Sequence, residues 1–456
     1  MPDLESLSRA ELIALLIEQQ QVIDRLRKEM EELRRRGKRQ AAPFSKGKPV
    51  AHPRRPGRKP GQGLFRRRSE PAQQPSEVVN AVVPPCCPDC GGGLEAVGEE
   101  VVTTIELPPS PQPVVIAWRV PICRCQGCGK SVRGRAAGLA ADQTGATAHR
   151  VGASVMAAAH ALHYGLGIPV RKVPGVLWEL SGVSITQGAL TQDALRRAAG
   201  AVGARYEQLR AGVRQAAAVH TDDTGWRVGG QGAFLMGFDT DQATVYQIRS
   251  QHRNEEVREL IPADYAGVMV SDRGKSYDAE EFAGVAQQKC VAHLLRNVSD
   301  VLENKRGRAR RFGETLKTLL REGLGLWHAR RDLAAEEYRR QTADLDERVS
   351  SHLRNRILRD DDNQCLLNGI GMRHDRGDLL RFLETEGVEP TNNRAERILR
   401  PAVIARKVSQ CSKNQRGAHA FAAFASVAQT IRKQARQSIV QGFLEVFREP
   451  AAARAR

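Results

Sequence analysis

Three short stretches decide how this chain reads: His220-Thr221-Asp222-Asp223-Thr224-Gly225-Trp226, Val270-Ser271-Asp272-Arg273 and Pro390-Thr391-Asn392-Asn393-Arg394-Ala395-Glu396-Arg397. Each sets an acid at the end of an element or on one face of it. The first follows the apolar run Ala216-Ala217-Ala218-Val219, which reads as a buried strand. Asp272 closes a second apolar run, Gly267-Val268-Met269-Val270. Glu396 lies three residues beyond Asn393, a capping residue type, which puts it in the first turns of a helix. Between the first two stretches, residues 233–238 and 244–249 flank the polar turn Asp239-Thr240-Asp241-Gln242, a hairpin signal.

Carboxylates placed this way can hold two divalent ions for an in-line phosphoryl displacement. Hard cations prefer oxygen ligands, so Asp and Glu suit the task better than His or Cys. Each stretch alone has an ordinary reading as well. Asp272-Arg273-Gly274 serves as a turn, and Asn392-Asn393 followed by Glu396 serves as a capping box. With 52 acids in the chain, some fall at strand ends by chance. The joint order of the three stretches carries the argument.

That order, together with Cys290-Val291-Ala292-His293-Leu294-Leu295-Arg296 and residues 391–401, resembles the DDE transposases of the bacterial insertion sequence 66 family. The resemblance implies a ribonuclease H-like core in which Asp222, Asp272 and Glu396 form the catalytic triad and bind Mg²⁺ or Mn²⁺. One departure stands out. The family commonly shows Asp-Glu-Thr-Gly at the first stretch, where this chain has Asp222-Asp223-Thr224-Gly225, so Asp223 remains an alternate ligand. Similar transposases carry a Cys/His pair after the second Asp, which gives Cys290 and His293 a supporting role beside Asn393. The residues themselves offer a CxxH pair that is half a zinc site with no second half nearby. A positional role follows, with His293 bonding a metal-bound carboxylate or a phosphate and Cys290 buried.

Composition points the same way. The chain has 456 residues and a net charge of +18, so two or three domains and a polyanionic partner are expected, with DNA the commonest and a membrane surface the rival. No run of about 18 apolar residues predicts a transmembrane helix, and the acidic, amphipathic start does not read as a signal peptide. Nine cysteines, six of them in two tight clusters, fit metal binding in a reducing cytoplasm better than secreted disulfides, and the resemblance implies a bacterial one.

Ser8-Arg9-Ala10-Glu11 is a capping box. Leu12, Leu16, Ile23, Leu26, Met30 and Leu33 then recur at heptad positions, broken only by Gln19. Residues 1–36 therefore read as a coiled-coil helix for a homodimer or higher oligomer, with a lone helix packed on its own domain as the alternative. Residues 33–68 carry 14 Lys/Arg and no acid, among several prolines and glycines. Residues 37–80 are expected to be a disordered basic linker. Within it Arg54, Arg55, Arg58 and Lys59 resemble a minor-groove arm, or act as a tether that touches phosphates without reading sequence.

Cys87-Pro88-Asp89-Cys90 and Cys125-Gln126-Gly127-Cys128 are two CxxC knuckles with 34 residues between them. Four thiolates at such spacing predict a structural Zn²⁺ in a ribbon spanning residues 81–135, with a strand over residues 114–120. Cys86 and Cys123 are surplus and leave the register open. The resemblance, which includes a zinc ribbon here, supports Cys87, Cys90, Cys125 and Cys128.

Residues 136–214 read as a helical domain. Its helix–glycine turn–helix rhythm allows a helix-turn-helix, though Pro174 weakens it, and a plain helical module is the alternative. The catalytic core is expected over 215–293 and 384–410. Residues 294–383, rich in Leu, Arg, Glu and Ala, predict an all-helical insertion in which Trp327 reads as core filling, while the resemblance allows it to stack on a DNA base. Arg394, Arg397, Arg400, Arg406 and Lys407 gather beside the third acid and suit phosphates. One or two helices are expected to close the chain over 411–456. The resemblance thus implies a multidomain α/β transposase that binds the terminal inverted repeats of a mobile element, in a family whose members are often encoded with small accessory proteins. A structure-selective nuclease and a non-catalytic zinc-ribbon DNA-binding protein are the rivals.

Overall fold

The computed structural model describes residues 82–95, 112–136 and 149–448 apart from 304, 355 and 435–436, with residues 138–139 and 143–144 and scattered positions in 8–26 and 74–79. Leu12, Met30 and Leu33 of the coiled-coil seam and the whole 54–59 arm lie outside the described residues. The described positions from 9 to 26 are helical, and Leu16, Ile23 and Leu26 of the seam are exposed there. The chain divides into two compact units, residues 46–115 with 180–182 and the remainder.

In the larger unit, β1 (Ile122–Arg124) pairs antiparallel with β2 (Ser131–Arg133) around the second CxxC knuckle. Among the described residues the strand expected over 114–120 is not seen: residues 112–120 pair with none of them, and Val114, Val115 and Ile116 are exposed. β-branched composition alone does not make a strand, because the backbone groups need a partner ladder. Here the ladder is built by the residues that flank the knuckle.

Four helices follow. α1 (Ala153–His160) continues into a wider π turn over Ala161–Gly165. α2 (Val173–Ser181) tolerates Pro174 because it falls in the first turn, where no intrahelical N–H is needed. Gly182 takes the left-handed conformation (φ 63°) that a tight turn out of the helix requires. α3 (Gln187–Ala198) is capped by Thr186, whose hydroxyl accepts from the Ala189 N–H at 3.2 Å. α4 (Ala201–Arg214) leads to the sheet.

The sheet has five strands: β3 (Ala218–Val228), β4 (Gln231–Asp239), β5 (Thr244–Arg249), β6 (Val268–Ser271) and β7 (Gln287–Lys289). Their spatial order is β5-β4-β3-β6-β7. β3, β4 and β5 form an antiparallel meander, and β6 and β7 run parallel to β3. The short helix α5 (Asn254–Arg258) lies on the crossover from β5 to β6. β5 is buried along nearly its whole length, so both sheet faces are covered there.

After β7 come α6 (Val291–Leu302), α7 (Gly307–Ala329), α8 (Ala335–Leu353), α9 (Asp361–Asp375) and the single turn α10 (Arg381–Glu384). Between β7 and Pro390 the described chain is mainly helical. Its apolar core takes in Val268 and Val270 of β6, and Trp327 packs partly buried against it. The chain then returns as α11 (Asn393–Ser409), α12 (Gln415–Gln434) and α13 (Ile439–Arg448). α12 and α4 cover the β5 side of the sheet and share its core through Phe424, Tyr206 and Val245.

Candidate active site

Asp222 does not follow a strand, as its sequence suggests, but sits inside β3. The parallel pairing sets Ala218, Val219 and His220 against Val268, Met269 and Val270. Carried two residues further, the same register brings Asp222 beside Asp272, across a strand spacing of about 4.8 Å. On its other side Asp222 pairs with Gly237 of β4. A side chain at Gly237 would meet Ile398 at 2.8 Å and Leu399 at 3.1 Å, both on α11. The missing side chain thus lets α11, which bears Glu396, lie close over β4.

Asp272 begins the loop after β6. Its Oδ1 accepts from the Gly274 N–H at 2.8 Å, which leaves the second oxygen free of that turn. Beneath it lies a buried ionic group. Lys289 of β7, in register with Ser271, pairs with Asp278 at 2.8 Å, and Arg373 of α9 holds the other oxygen of Asp278. Desolvation, the largest effect, lowers the Lys289 pKa against the pull of Asp278.

Glu396 stands in the first turn of α11, half-exposed. The residue before the helix is Asn392, not Asn393: Asn392 is wholly buried, while Asn393 is exposed as the first helical residue. Asn392 Nδ2 donates to the Thr221 carbonyl at 2.8 Å, and its backbone N–H donates to Cys290 Sγ at 3.2 Å. Cys290 N–H in turn donates to the Ser271 carbonyl at 2.9 Å, and Val291 N–H to the Pro390 carbonyl at 2.9 Å. The three segments that carry the acids are therefore knotted through Cys290 and Asn392.

His293, in the first turn of α6, stands beside Glu396. Its Nε2 lies 3.8 Å from Glu396 Oε1, and its charge acts on both Asp222 and Asp272. A hydrogen bond to Cys290, the largest effect, raises the His293 pKa, and Asp272 adds to it. Burial pushes the Cys290 thiol up, but bonds from His293 and from the Asn392 and His293 backbone outweigh it and hold the thiol below its usual range. Burial first, then repulsion from Asp223 and Asp272, pushes the Asp222 carboxyl up to about 7. Among the described residues neither Asp222 nor Asp272 has a Lys or Arg ion pair. Nor do any three His, Cys, Asp or Glu side chains close into a cage for a metal. Carboxylates brought together without a cation repel one another. Asp222, Asp272 and Glu396 present only oxygen donors, the set that suits Mg²⁺ or Mn²⁺.

Asp223, one residue along the strand, points to the opposite face by the strand's two-residue period. There its Oδ1 lies 3.0 Å from Nδ1 of His252, which is almost fully buried.

The basic residues around Glu396 divide. Arg394 pairs with Asp239 at 3.2 Å and Asp241 at 2.7 Å, and Arg406 donates to the Thr224 hydroxyl at 3.2 Å and to the Gly225 carbonyl. Both bind α11 to the sheet. Arg397, Arg400 and Lys407 are exposed.

The two CxxC knuckles have matching turns. Gly91 N–H donates to the Cys87 carbonyl at 2.8 Å and Gly129 N–H to the Cys125 carbonyl at 2.9 Å, with both glycines left-handed at φ 72° and 69°. The Cys87 thiol is lowered first by the Asp89 backbone and then by Cys90, and the Cys125 thiol by the Cys128 and Gly127 backbones. Backbone donors that favour thiolate are what a zinc ligand needs.

Asn392, Gly237, His252 and the Lys289–Asp278–Arg373 group were not singled out by sequence. An isolated glycine between Met236 and Phe238 is the one available signal, since glycine inside a strand marks close backbone approach.

Among the described residues no helix is long and apolar enough to cross a membrane. A search of curated proteins found no match. Residues 84–129 match the zinc-finger binding domain of transposase IS66, and residues 149–420 match the transposase IS66 family. The second match covers more than half of the chain, including all three acids. With its mixed α/β transposase domain behind a zinc finger, the chain belongs to the IS66 family of DDE transposases.

Proposed function

We propose that Asp222, Asp272 and Glu396 are the catalytic carboxylates, with a divalent ion pair, Mg²⁺ or Mn²⁺, as their cofactor. The observation that carries this reading is the tie of the three acid-bearing segments through Cys290 and Asn392, with the β3–β6 register running towards Asp222 and Asp272 and Glu396 beside His293. The order β5-β4-β3-β6-β7, with three antiparallel strands and two parallel ones, supports a ribonuclease H-like core over 215–293 and 384–410, interrupted by the helical insertion. Asp223 is the weaker candidate because His252 engages it on the other face.

Such ions supply charge neutralisation at the phosphate and lower the pKa of an attacking oxygen. Asp222 and Asp272 set one edge of the site from neighbouring strands, and Glu396 closes it from α11. Cys290, His293 and Asn392 fix the relative positions of these segments. In the reaction, a water oxygen bonds to phosphorus as the bond to the 3′-oxygen breaks, leaving a 3′-OH at the element end. That hydroxyl then attacks a phosphate of the target and displaces its 3′-oxygen. Exposed Arg397, Arg400 and Lys407 suit the flanking phosphates. The basic arm with Arg54, Arg55, Arg58 and Lys59 adds contacts that position the DNA without specifying it.

Cys87, Cys90, Cys125 and Cys128 are the proposed zinc ligands, supported by their matching turns and lowered thiol pKa values. The N-terminal helix is the proposed dimerisation element, supported by its exposed Leu16, Ile23 and Leu26. Terminal inverted repeats are the proposed substrate, accessory proteins the proposed partners, and the bacterial cytoplasm beside the nucleoid the proposed setting.

The test uses purified protein, labelled DNA from the flanks of its own gene, and Mg²⁺ or Mn²⁺, with Asp272→Asn beside the wild type. Metal-dependent cuts at the element ends that vanish in the variant, with joined products, are expected. Cuts that persist in Asp272→Asn refute the assignment.

A further inference from the structure

A cleft of about 930 Å³ lies away from the three acids, and the proposed function does not use it. Its walls are α1 with its π turn, α3, the β3–β4 hairpin tip Gly229–Gly230, and the loop from Ser409 to Asn414. Arg171 and Lys413 bring cations, and among the described residues no Asp or Glu lines it. Asp193, the nearest buried acid, stands behind His160 and is held by it at 2.8 Å and by Arg196 and Arg197 at 2.5 and 2.7 Å. Its charge is thereby turned away from the cleft.

Aromatic rings lie among the cationic and amide groups. Tyr164 stacks on Phe424 with ring centroids 4.6 Å apart, and Tyr164 and Phe421 both border the cleft. Gln187 and Thr191 of α3 are exposed and line the same space. The loop wall is strained: Gln410 and Cys411 are consecutive non-glycine residues at φ 58° and 66°. Ser412 holds it there by donating its N–H to the Arg227 carbonyl at 3.1 Å and accepting from Gly229 N–H at 3.0 Å. Strain of this kind persists only where the surroundings enforce it, and it gathers at binding sites.

We infer that this cleft is a second DNA subsite, which takes a few nucleotides of single strand. Cations along a groove with aromatic faces for stacking are the chemistry that holds single-stranded DNA. The volume is in the range of a pocket that encloses a small ligand, far below what a double helix needs. α11 fixes the distance to the acids. It runs from Glu396 at one end to Ser409 at the wall of the cleft, a rise of about 20 Å at 1.5 Å per residue. Measured at the duplex spacing of about 3.4 Å per nucleotide, that span is about six nucleotides, and a single strand drawn out from the duplex crosses it with fewer. Arg397, Arg400 and Lys407 are exposed along it. This span rests on the reading that Asp222, Asp272 and Glu396 form the cleavage site; the cleft itself does not.

The experiment compares the full chain with an Arg171→Glu/Lys413→Glu variant, both residues being exposed, so that the fold is kept and checked by thermal melting. Anisotropy is read with one short labelled oligonucleotide, single-stranded and then as duplex. Binding of the single strand is expected to fall about tenfold or more, as loss of two phosphate-facing cations implies, while the duplex changes less than twofold. Photocrosslinking from an iodouracil base within about six nucleotides of the cut end is expected to label the segment 409–414 or the α1 turn. Equal losses on both DNAs, no loss on either, or crosslinks only elsewhere overturn the inference. Loss of metal-dependent cleavage in Asp272→Asn tests the catalytic assignment separately and leaves the cleft result standing.

Discussion

Asn392 donates its carboxamide N–H to the carbonyl of Thr221 at 2.8 Å, which joins the start of the Glu396 helix to the residue before Asp222. Replacing Asn392 with Ala removes that bond and leaves a void at a wholly buried position. A stability loss of about 1–3 kcal/mol is expected. Metal-dependent cleavage should fall by more than the unfolded fraction accounts for, while DNA affinity stays near that of the wild type. Thermal melts beside cleavage assays check this; an active, equally stable variant contradicts the positioning role.

Gly237 faces Asp222 across the ladder and lies under Ile398 and Leu399. Gly237→Leu should lift α11 from β4 at an overpacking cost of about 1–3 kcal/mol. Cleavage should drop at least tenfold in a chain that still folds. A variant with full activity shows that α11 reaches its place without the close approach.

Asp222 gives a pH signature. Its folded pKa, pushed up to about 7, lies above the usual carboxylate value of about 3.9. The folded protein therefore holds a proton that the unfolded chain has released between these values. Stability from this group is present in full below about pH 4 and is lost as pH rises towards 7. In a metal chelator, Asp222→Asn should melt higher than the wild type at pH 8, by a few degrees, with the difference fading towards pH 4. A variant that melts lower at pH 8 counts against a desolvated, repelled carboxylate.

Asp222 and Asp223 separate by the same means. Asp222→Asn should abolish cleavage, whereas Asp223→Asn, which keeps a side chain beside His252, should retain most of it. A reversed pattern, read from cleavage with Mg²⁺, moves the ligand to Asp223.

Zinc removal tests the two knuckles. Cys87→Ser and Cys125→Ser should each lose bound zinc in a metal assay, because each removes a thiol whose neighbours favour the thiolate. Cys365→Ser, an exposed cysteine in α9, should keep it. Equal zinc content in all three variants removes the assignment.

Much of the architecture was legible. The hairpin of β4 and β5, the strand that stops just before Asp272, the helices after β7 and the closing helices follow from apolar runs and their periods, which local sequence records, whereas the length of β3 and its pairing with β4 do not. The harder features are decided by what packs from far along the chain. Asn392 and Asn393 are identical neighbours, and only the approach of Thr221 determines which one is buried. Arg394 reads as a phosphate ligand until Asp239 and Asp241, more than 150 residues upstream, come within reach. Val114, Val115 and Ile116 have strand composition, and no local pattern reveals that their backbone has no ladder partner among the described residues.

Val291 and Pro390 are hydrogen-bonded neighbours, so everything strung between them leaves and rejoins the core at one spot. A detour with coincident ends adds length without driving apart the two segments it joins. This one also packs under β6 at Val268 and Val270 and grips Asp278 through Arg373, so its inner face is bound to the strand that leads to Asp272. Only the surface turned away from that seam is free to change without disturbing the acids.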